Sequence, residues 1–187
     1  MSRRIVGIDP GLTRCGVAVV EVSANRTAKF IAVDTIRTSP NQDLAKRINE
    51  ISIQIEALLD EHKPEIVAIE RVFAQQNLRT VMGTAQISGV VMLLAERRGI
   101  AIQMHTPTEV KAAVTGSGRA AKLQVGNMVA KILGLTEIPK PADSADALAI
   151  AITAGWRPSV VASAGELTKA QVAWQSAEAA SKKKRSH

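Results

Sequence analysis

The stretch IVGIDPGLTRCGVAVV, residues 5–20, joins two short runs rich in Val and Ile through a Pro-Gly pair. Such runs, bounded by turn-forming residues, are typical of β-strands. The first covers residues 4–8, the second covers 16–22, and a third run of the same kind follows at 30–37. Because the connections between them are short, the three runs predict an antiparallel meander. Asp9 stands at the end of the first predicted strand, immediately before Pro10.

Strand and helix patterns alternate after the predicted meander. Apolar side chains recur at spacings of three and four, as at Leu44, Ile48 and Ile51, which predicts an amphipathic helix. The predicted elements are, in order, a helix at 41–61, a strand at 65–70, a helix at 78–98, a strand at 100–105, and helices at 107–114, 121–133 and 142–156. Three meandering strands followed by two strand-helix units predict an α/β fold with a mixed five-stranded sheet flanked by helices.

Composition favours one globular domain with an aliphatic core. The 187 residues are 46% hydrophobic and 22% charged, and only 2% are aromatic. The strong patterns fade near Ser159, so we expect one domain over residues 1–158 and a flexible basic tail over 159–187. No basic N-terminal leader and no long uncharged apolar run is present in the sequence, which predicts a cytoplasmic protein. The single cysteine, Cys15, cannot form an internal disulfide.

Positive charge is unevenly spread along the chain. The formal net charge is +7, and residues 157–187 contribute six Lys or Arg against two Glu. Within the predicted domain, residues 110–131 contain Lys111, Arg119, Lys122 and Lys131 and no acidic residue. A local basic patch on an otherwise balanced domain indicates an anionic partner.

Four acidic residues stand at the ends of predicted elements. Asp9 ends the first strand, Glu70 ends the fourth, and Asp143 and Asp146 lie near the start of the last helix. A spacing of three residues places the last two on one helical face. If the four converge, their mutual repulsion calls for bound cations, and oxygen ligands without Cys or His favour Mg²⁺ or Mn²⁺. Two such ions can drive in-line hydrolysis of a phosphodiester.

Each acidic residue also has a structural interpretation. Asp143 could cap its helix, and Asp146 could complement the positive helix N-terminus. Glu70 could pair with Arg71, and Asp9 could form an Asx-turn before the Pro-Gly pair. The position of all four at matching ends of elements favours a functional role.

Four motifs together carry a family resemblance. GIDPGLTRCG, AIERVF, TPTEVKAAVTGSGRAAKLQV and PADSADALAIA occur in this order and closely resemble the RuvC family of Holliday-junction resolvases over residues 5–156. The resemblance implies a ribonuclease H-like fold, a homodimer, and Mg²⁺-dependent paired nicking of four-way DNA junctions. It also implies an association with a RuvA–RuvB branch-migration complex.

The resemblance assigns roles to particular residues. The family's catalytic carboxylates fall on Asp9, Glu70, Asp143 and Asp146, where two Mg²⁺ ions per site are expected and Mn²⁺ can substitute. Its basic residues near the scissile phosphate match Lys111 and Lys122, which could alternatively form a solvated helix face. The aromatic residue that contacts opened bases matches Phe73, whose alternative is packing in the core.

Further DNA contacts are predicted beside these residues. The candidates are polar, basic or glycine residues in loops near the motifs: Arg71, Gln75, Gln76, Asn77, Gly116, Ser117 and Arg119. The glutamines and asparagine could also belong to an ordinary loop, and the two glycines flanking Ser117 could simply form a turn. The broadly apolar helix over 81–95 predicts burial in the monomer or at a dimer interface.

Three other functions compete with junction resolution. An actin-like ATPase or sugar kinase also places Asp, Gly and Thr after its first strand, as Asp9, Gly11 and Thr13 do here. That interpretation leaves the later acids and lysines unexplained. The remaining alternatives are a catalytically silent DNA-binding module of the same fold and a general nuclease.

Overall fold

A five-stranded mixed sheet forms the centre of the computed structural model, which describes residues 2–71 and 78–157. The strand order is β3-β2-β1-β4-β5. The strands are β1 (Ser2–Asp9), β2 (Arg14–Ser23), β3 (Ala28–Arg37), β4 (Ile66–Glu70) and β5 (Ala101–His105). The first three are antiparallel, and β4 and β5 continue the sheet parallel to β1. The predicted meander and mixed sheet are therefore confirmed.

Five helices cover the two faces of the sheet. They are α1 (Leu44–His62), α2 (Leu78–Glu96), α3 (Pro107–Thr115), α4 (Lys122–Leu133) and α5 (Ala142–Trp156). Alternate residues of each strand point to opposite faces, so Ile5 packs with α5 while Val6 packs towards α1 and α2. Two aliphatic cores result, one on each face. No helix among the described residues is long and apolar enough to cross a membrane.

Helix α1 begins later than its apolar pattern predicted. The first helical residue is Leu44, and residues 40–42 form a turn in which the Gln42 N–H donates to the Ser39 carbonyl oxygen. This turn occupies the first residues of the predicted helix, so the regular helix starts after it. Helix α3 begins as predicted at Pro107, where Thr106 and Glu109 form a reciprocal capping box. The predicted tail, 159–187, lies outside the described residues.

Helix α5 lies directly against the backbone of β1 and β2. A Cβ atom at Gly7 would overlap the carbonyl oxygen of Ala147 and come within 2.8 Å of the Cβ of Ala151. A Cβ atom at Gly16 would overlap the carbonyl oxygen of Asp143. Since only glycine lacks this atom, both positions allow the helix to approach more closely than any side chain would. This close approach fixes the height of α5 above the sheet.

Gly7→Ala is expected to lower the free energy of unfolding by about 1–3 kcal/mol or more, because the new methyl group forces α5 away from the sheet. Urea denaturation measures the change. The matched control is Gly89→Ala in α2, where a Cβ meets nothing within 4 Å. That control is expected to be neutral or to stabilise by up to about 1 kcal/mol. Equal effects at the two positions would contradict the packing described for α5.

Candidate active site

The parallel pairing of β1 with β4 brings Asp9 and Glu70 to one edge of the sheet. In this register Ile8 lies opposite Ile69, so the residue that follows each of them is an acid at the strand's carboxyl end. Both acids are partly buried. The neighbouring positions predicted for these two carboxylates are thus present in the fold.

Helix α5 places two more carboxylates above this edge. Asp9 pairs with Gly16 across β1 and β2, and the space above Gly16 is filled by the backbone carbonyl of Asp143. Asp146 follows three residues later, on the same side of the helix. A buried contact of 3.0 Å between the hydroxyls of Ser144 and Thr35 ties the first turn of α5 to β3. The glycine and this hydroxyl pair position the start of the helix.

The four carboxylates are called here the carboxylate cluster, and their electrostatic effect is seen at Asp9 and Glu70. Burial raises the pKa of Asp9 to about 7, with further contributions from the charges of Glu70, Asp146 and Asp143. The pKa of Glu70 is also raised, first by burial and then by Asp146. A negative charge that raises the pKa of Asp9 must lie near it. The structure therefore brings all four predicted acids into one site.

Two cations of the chain contact the carboxylate cluster. The Nζ of Lys122 lies 2.5 Å from Oδ2 of Asp146. Burial alone would lower the pKa of Lys122, but its hydrogen bond to Asp146 and the nearby acids raise it. The Nε of Arg14 lies 3.2 Å from Oδ2 of Asp143, close enough for an ion pair but not aligned to donate a hydrogen bond. That buried oxygen has no hydrogen-bond donor among the described residues.

The donor set suits a hard divalent cation, although the side chains do not already enclose one. Among residues 2–71 and 78–157, no three His, Cys, Asp or Glu side chains are arranged to hold a metal ion. The cluster nevertheless offers only oxygen donors, and Asp143 presents one buried oxygen without a hydrogen-bond donor. Oxygen-only sites favour Mg²⁺ or Mn²⁺ over zinc. Burial and, after it, repulsion from the other acids raise the pKa of Asp9, and a bound cation would relieve this repulsion.

Three of the structural interpretations of the acids, namely the helix cap, the Glu70–Arg71 pair and the Asx-turn, are not supported among the described residues. Pro141 occupies the N-cap position of α5, and this helix has no side-chain cap hydrogen bond. Asp143 is the acidic residue in its first turn. None of the ion pairs among the described residues joins Glu70 to Arg71, and no hydrogen bond there holds the Asp9 carboxylate in an Asx-turn. The interaction of an acid with the positive N-terminus of α5 stays compatible with these positions.

Apart from Lys122, the predicted DNA-contacting residues divide into four groups. Lys111 on α3 is near enough to Glu70 for its positive charge to oppose the rise in the pKa of Glu70. Arg71, Ser117 and Arg119 form the second group and are exposed. Gly116 ends α3 with a positive φ of 81°, which supports the turn interpretation of this glycine. The residues that lie outside the described part of the chain are Phe73, Gln75, Gln76 and Asn77.

Arg14 and Arg47 were not among the predicted site residues. Arg47 is 9% exposed, and it donates hydrogen bonds to the hydroxyl of Thr13, at 2.8 Å, and to the hydroxyl of Thr38, at 2.9 Å. A sequence signal for it exists, because Arg47 precedes the buried residues Ile51 and Ile55 at spacings of four. A cation in the buried stripe of an amphipathic helix is unusual. Arg14 lies within the stretch 5–20, and no pattern in the sequence marks it as a site residue.

Asp9→Asn is expected to stabilise the metal-free protein at pH 8. The folded-state pKa of about 7 exceeds the ordinary value of 3.8, so ionisation costs folding free energy as the pH rises between these values. The asparagine avoids a cost of up to about 4 kcal/mol, since one pKa unit corresponds to about 1.4 kcal/mol. Thermal unfolding at pH 8 and pH 4 measures the change, and the advantage should vanish at the lower pH.

Asp60→Asn serves as a control of opposite sign. The hydrogen bond from Arg98 lowers the pKa of Asp60, so its stabilisation is present at neutral pH and lost in acid. The Asp60→Asn protein should therefore melt below the parent at pH 8. Equal melting temperatures of Asp9→Asn and the parent at pH 8 would contradict the electrostatic account of the carboxylate cluster.

Comparison with known proteins identifies the family. The family model described as Crossover junction endodeoxyribonuclease RuvC matches residues 5–154. Proteins with this name from Clavibacter sepedonicus and Streptomyces griseus subsp. griseus are 52% and 61% identical, covering 97% and 82% of this chain and 100% and 76% of their own. The structure of T. thermophilus RuvC in complex with a Holliday junction substrate superposes with a TM-score of 0.77 at 36% identity, covering 81% of this chain and 92% of that chain. These matches span the sheet and every element that supplies the four carboxylates, so the chain belongs to the RuvC family, with the ribonuclease H-like fold that its motifs predicted.

Proposed function

We propose that this chain is an endonuclease that resolves four-way DNA junctions by hydrolysing phosphodiester bonds. The single observation that carries this function is the meeting of Asp9, Glu70, Asp143 and Asp146 at one edge of the sheet, beside Lys122. Two findings on similar proteins support the choice of substrate. Relatives over 50% identical are named crossover junction endodeoxyribonucleases, and the T. thermophilus structure contains a Holliday junction substrate.

The four carboxylates would hold two divalent ions, Mg²⁺ in the first instance with Mn²⁺ as a substitute. Such ions, when bound, supply activation of water and neutralisation of the leaving oxygen in an in-line displacement. The chain's own part is to fix oxygen donors on two rigid strands and one helix. Because Asp9 and Glu70 end neighbouring strands, their spacing depends on the sheet and not on a mobile loop.

Lys122 and Lys111 would bind the reacting phosphate. Lys122 is the only one of the two whose ammonium contacts a cluster carboxylate among the described residues, and its side chain is 62% exposed. It is therefore close to the acids and accessible to a strand approaching from solvent. A lysine at this place can neutralise charge that develops on the phosphate.

The surrounding residues would hold the junction itself. We assign Phe73 to stacking on an opened base, with Arg71, Gln75, Gln76 and Asn77 beside it. The exposed residues Ser117 and Arg119, together with the chain at Gly116, would contact the sugar-phosphate backbone. We retain as predictions a single nuclease domain over 1–158, a basic tail over 159–187 and a cytoplasmic location.

A homodimer suits this reaction, because a four-way junction offers two symmetry-related strands. Helices α1 and α2 pack against each other and expose large apolar side chains, namely Ile53 at 55%, Met82 at 57% and Leu93 at 50%. An exposed apolar face of this kind is typical of an interface, and we assign the dimer contact to it. Association with a RuvA–RuvB complex stays a prediction from family membership.

Asp9→Asn is expected to abolish nicking while leaving junction binding intact, because it removes a metal-binding carboxylate without changing side-chain size. The rate should fall by more than the 10- to 100-fold typical of outer-shell partners. The assay compares four-way, linear and single-stranded DNA with Mg²⁺, under conditions that keep the protein dimeric. Full activity of the variant would overturn the proposed function.

The same assay separates the competing functions. Equal cutting of four-way and linear duplex DNA would indicate a general nuclease. Junction binding by the parent protein without nicks would indicate a silent binding module. Turnover of ATP without junction cleavage would favour the actin-like alternative.

Lys122→Met is expected to lower the single-turnover cleavage rate by about a hundredfold, the loss typical of removing one group that stabilises transition-state charge. Lys131→Met is the matched control, because Lys131 lies in the last turn of the same helix, α4. Rates at saturating junction distinguish chemistry from binding. A change in junction affinity alone, with an unchanged saturated rate, would assign Lys122 to binding instead.

A further inference from the structure

A cavity of about 690 Å³ lies beside the carboxylate cluster, on the side of the sheet covered by α1 and α2. We call it the arginine cavity; its wall includes Thr13, Arg14, Arg47, Gly83 and Asp143. Gly83 leaves room at the helical side, since a Cβ atom there would come within 3.2 Å of the Leu12 side chain. Asp143 belongs to both the cavity wall and the cluster, so the two sites are continuous.

Arg47 is a buried cation without an acidic partner. Its guanidinium group donates to the hydroxyls of Thr13 and Thr38, and none of the ion pairs among the described residues includes it. A hydroxyl satisfies hydrogen-bonding geometry but does not neutralise a charge. Burying an uncompensated charge is costly, so such groups are normally paired. Arg47 lines a cavity open to an incoming group, which points to an anion that completes the pair.

Arg14 adds a second guanidinium group to the same wall. Its side chain is 60% exposed, and its Nε lies 3.2 Å from Oδ2 of Asp143. The lining of the arginine cavity therefore includes two arginines and one carboxylate. The excess of positive charge lies at the border of a site whose own residues are mostly acidic.

From this arrangement we infer that the arginine cavity binds a backbone phosphate of the strand being cut, next to the scissile phosphate. The inference rests on the proposed function, which supplies the strand. Arginine suits the task, because its planar group can donate two parallel hydrogen bonds to phosphate oxygens. A cavity of about 690 Å³ exceeds the needs of a phosphate alone and accommodates the attached sugar. Arg47 thereby sets the position of the strand relative to the carboxylate cluster.

The negative charge of each phosphodiester linkage near the cut site can be removed individually. Four-way junctions carrying a single methylphosphonate at each linkage flanking the cut site remove one negative charge without removing the backbone. Binding is measured in the Asp9→Asn background, which prevents cleavage, and single-turnover cleavage is measured in the parent. We expect one flanking linkage at which the neutral group weakens binding about tenfold, the equivalent of about 1.4 kcal/mol.

Arg47→Gln decides whether this arginine reads that linkage. In the all-phosphate junction the variant should lose about tenfold in affinity, and the slope of log K against log salt should shrink by about 0.9 for one lost phosphate contact. At the sensitive linkage, methylphosphonate should cost the variant nothing further. Arg97→Gln, at an exposed position after α2, should keep both the full affinity and the linkage sensitivity.

Arg47→Lys guards against a folding defect, because it keeps the charge at the same place. It should retain linkage sensitivity with reduced affinity. Additive losses from the variant and the neutral linkage, or a linkage scan without a sensitive position, would overturn the inference while leaving the proposed function standing. If the arginine cavity binds an anion from solution and not the strand, no methylphosphonate position will weaken binding, and this result would also overturn the inference. Failure of the parent protein to cut the all-phosphate junction would instead count against the proposed function.

Discussion

The contact between the backbone of α5 and the glycines of β1 and β2 governs the rest of this structure. Gly7 and Gly16 leave no side chain under the helix, so its carbonyl groups at Ala147 and Asp143 rest directly on the strands. The helix is buried along most of its length and packs on one of the two aliphatic cores. A larger residue at either glycine would lift the end of α5 and separate the carboxylates of the helix from those of the strands. Packing thus determines the geometry of the carboxylate cluster.

Much of the fold followed from local patterns in the sequence. The β-branched runs around Pro10 predicted the meander, and alternation of strands with amphipathic helices predicted the mixed sheet. The start of α1 was wrong by three residues, because an apolar spacing does not reveal where the turn at Pro40 ends. Burial of α5 could be anticipated from its composition, but the depth of its approach depends on glycines far away in the chain. Only the three-dimensional pairing shows that Gly16 lies beside Asp9.

The sequence identified the four acids, but only the structure shows that they lie close together. Their positions at element ends suggested one site, yet the order of the strands decides whether Asp9 and Glu70 are neighbours. Arg47 shows a different case, because its sequence signal does not reveal its surroundings. In the sequence it is a cation within an apolar helical stripe, whereas in the fold it is buried against two hydroxyls and lines a cavity. Phe73 and its polar neighbours lie outside the described residues, so their roles still depend on the family resemblance.

Charge balance explains why the site needs cations from outside the chain. Four carboxylates meet there, and Lys122 and Arg14 each contact one of them. Burial, followed by the charges of Glu70, Asp146 and Asp143, raises the pKa of Asp9 to about 7, so this acid is partly protonated near neutral pH. A DNA phosphate would add further negative charge and meet repulsion from the same acids. Metal ions held as proposed above would supply positive charge near the cluster, and a donor set of oxygen atoms alone suits hard divalent cations.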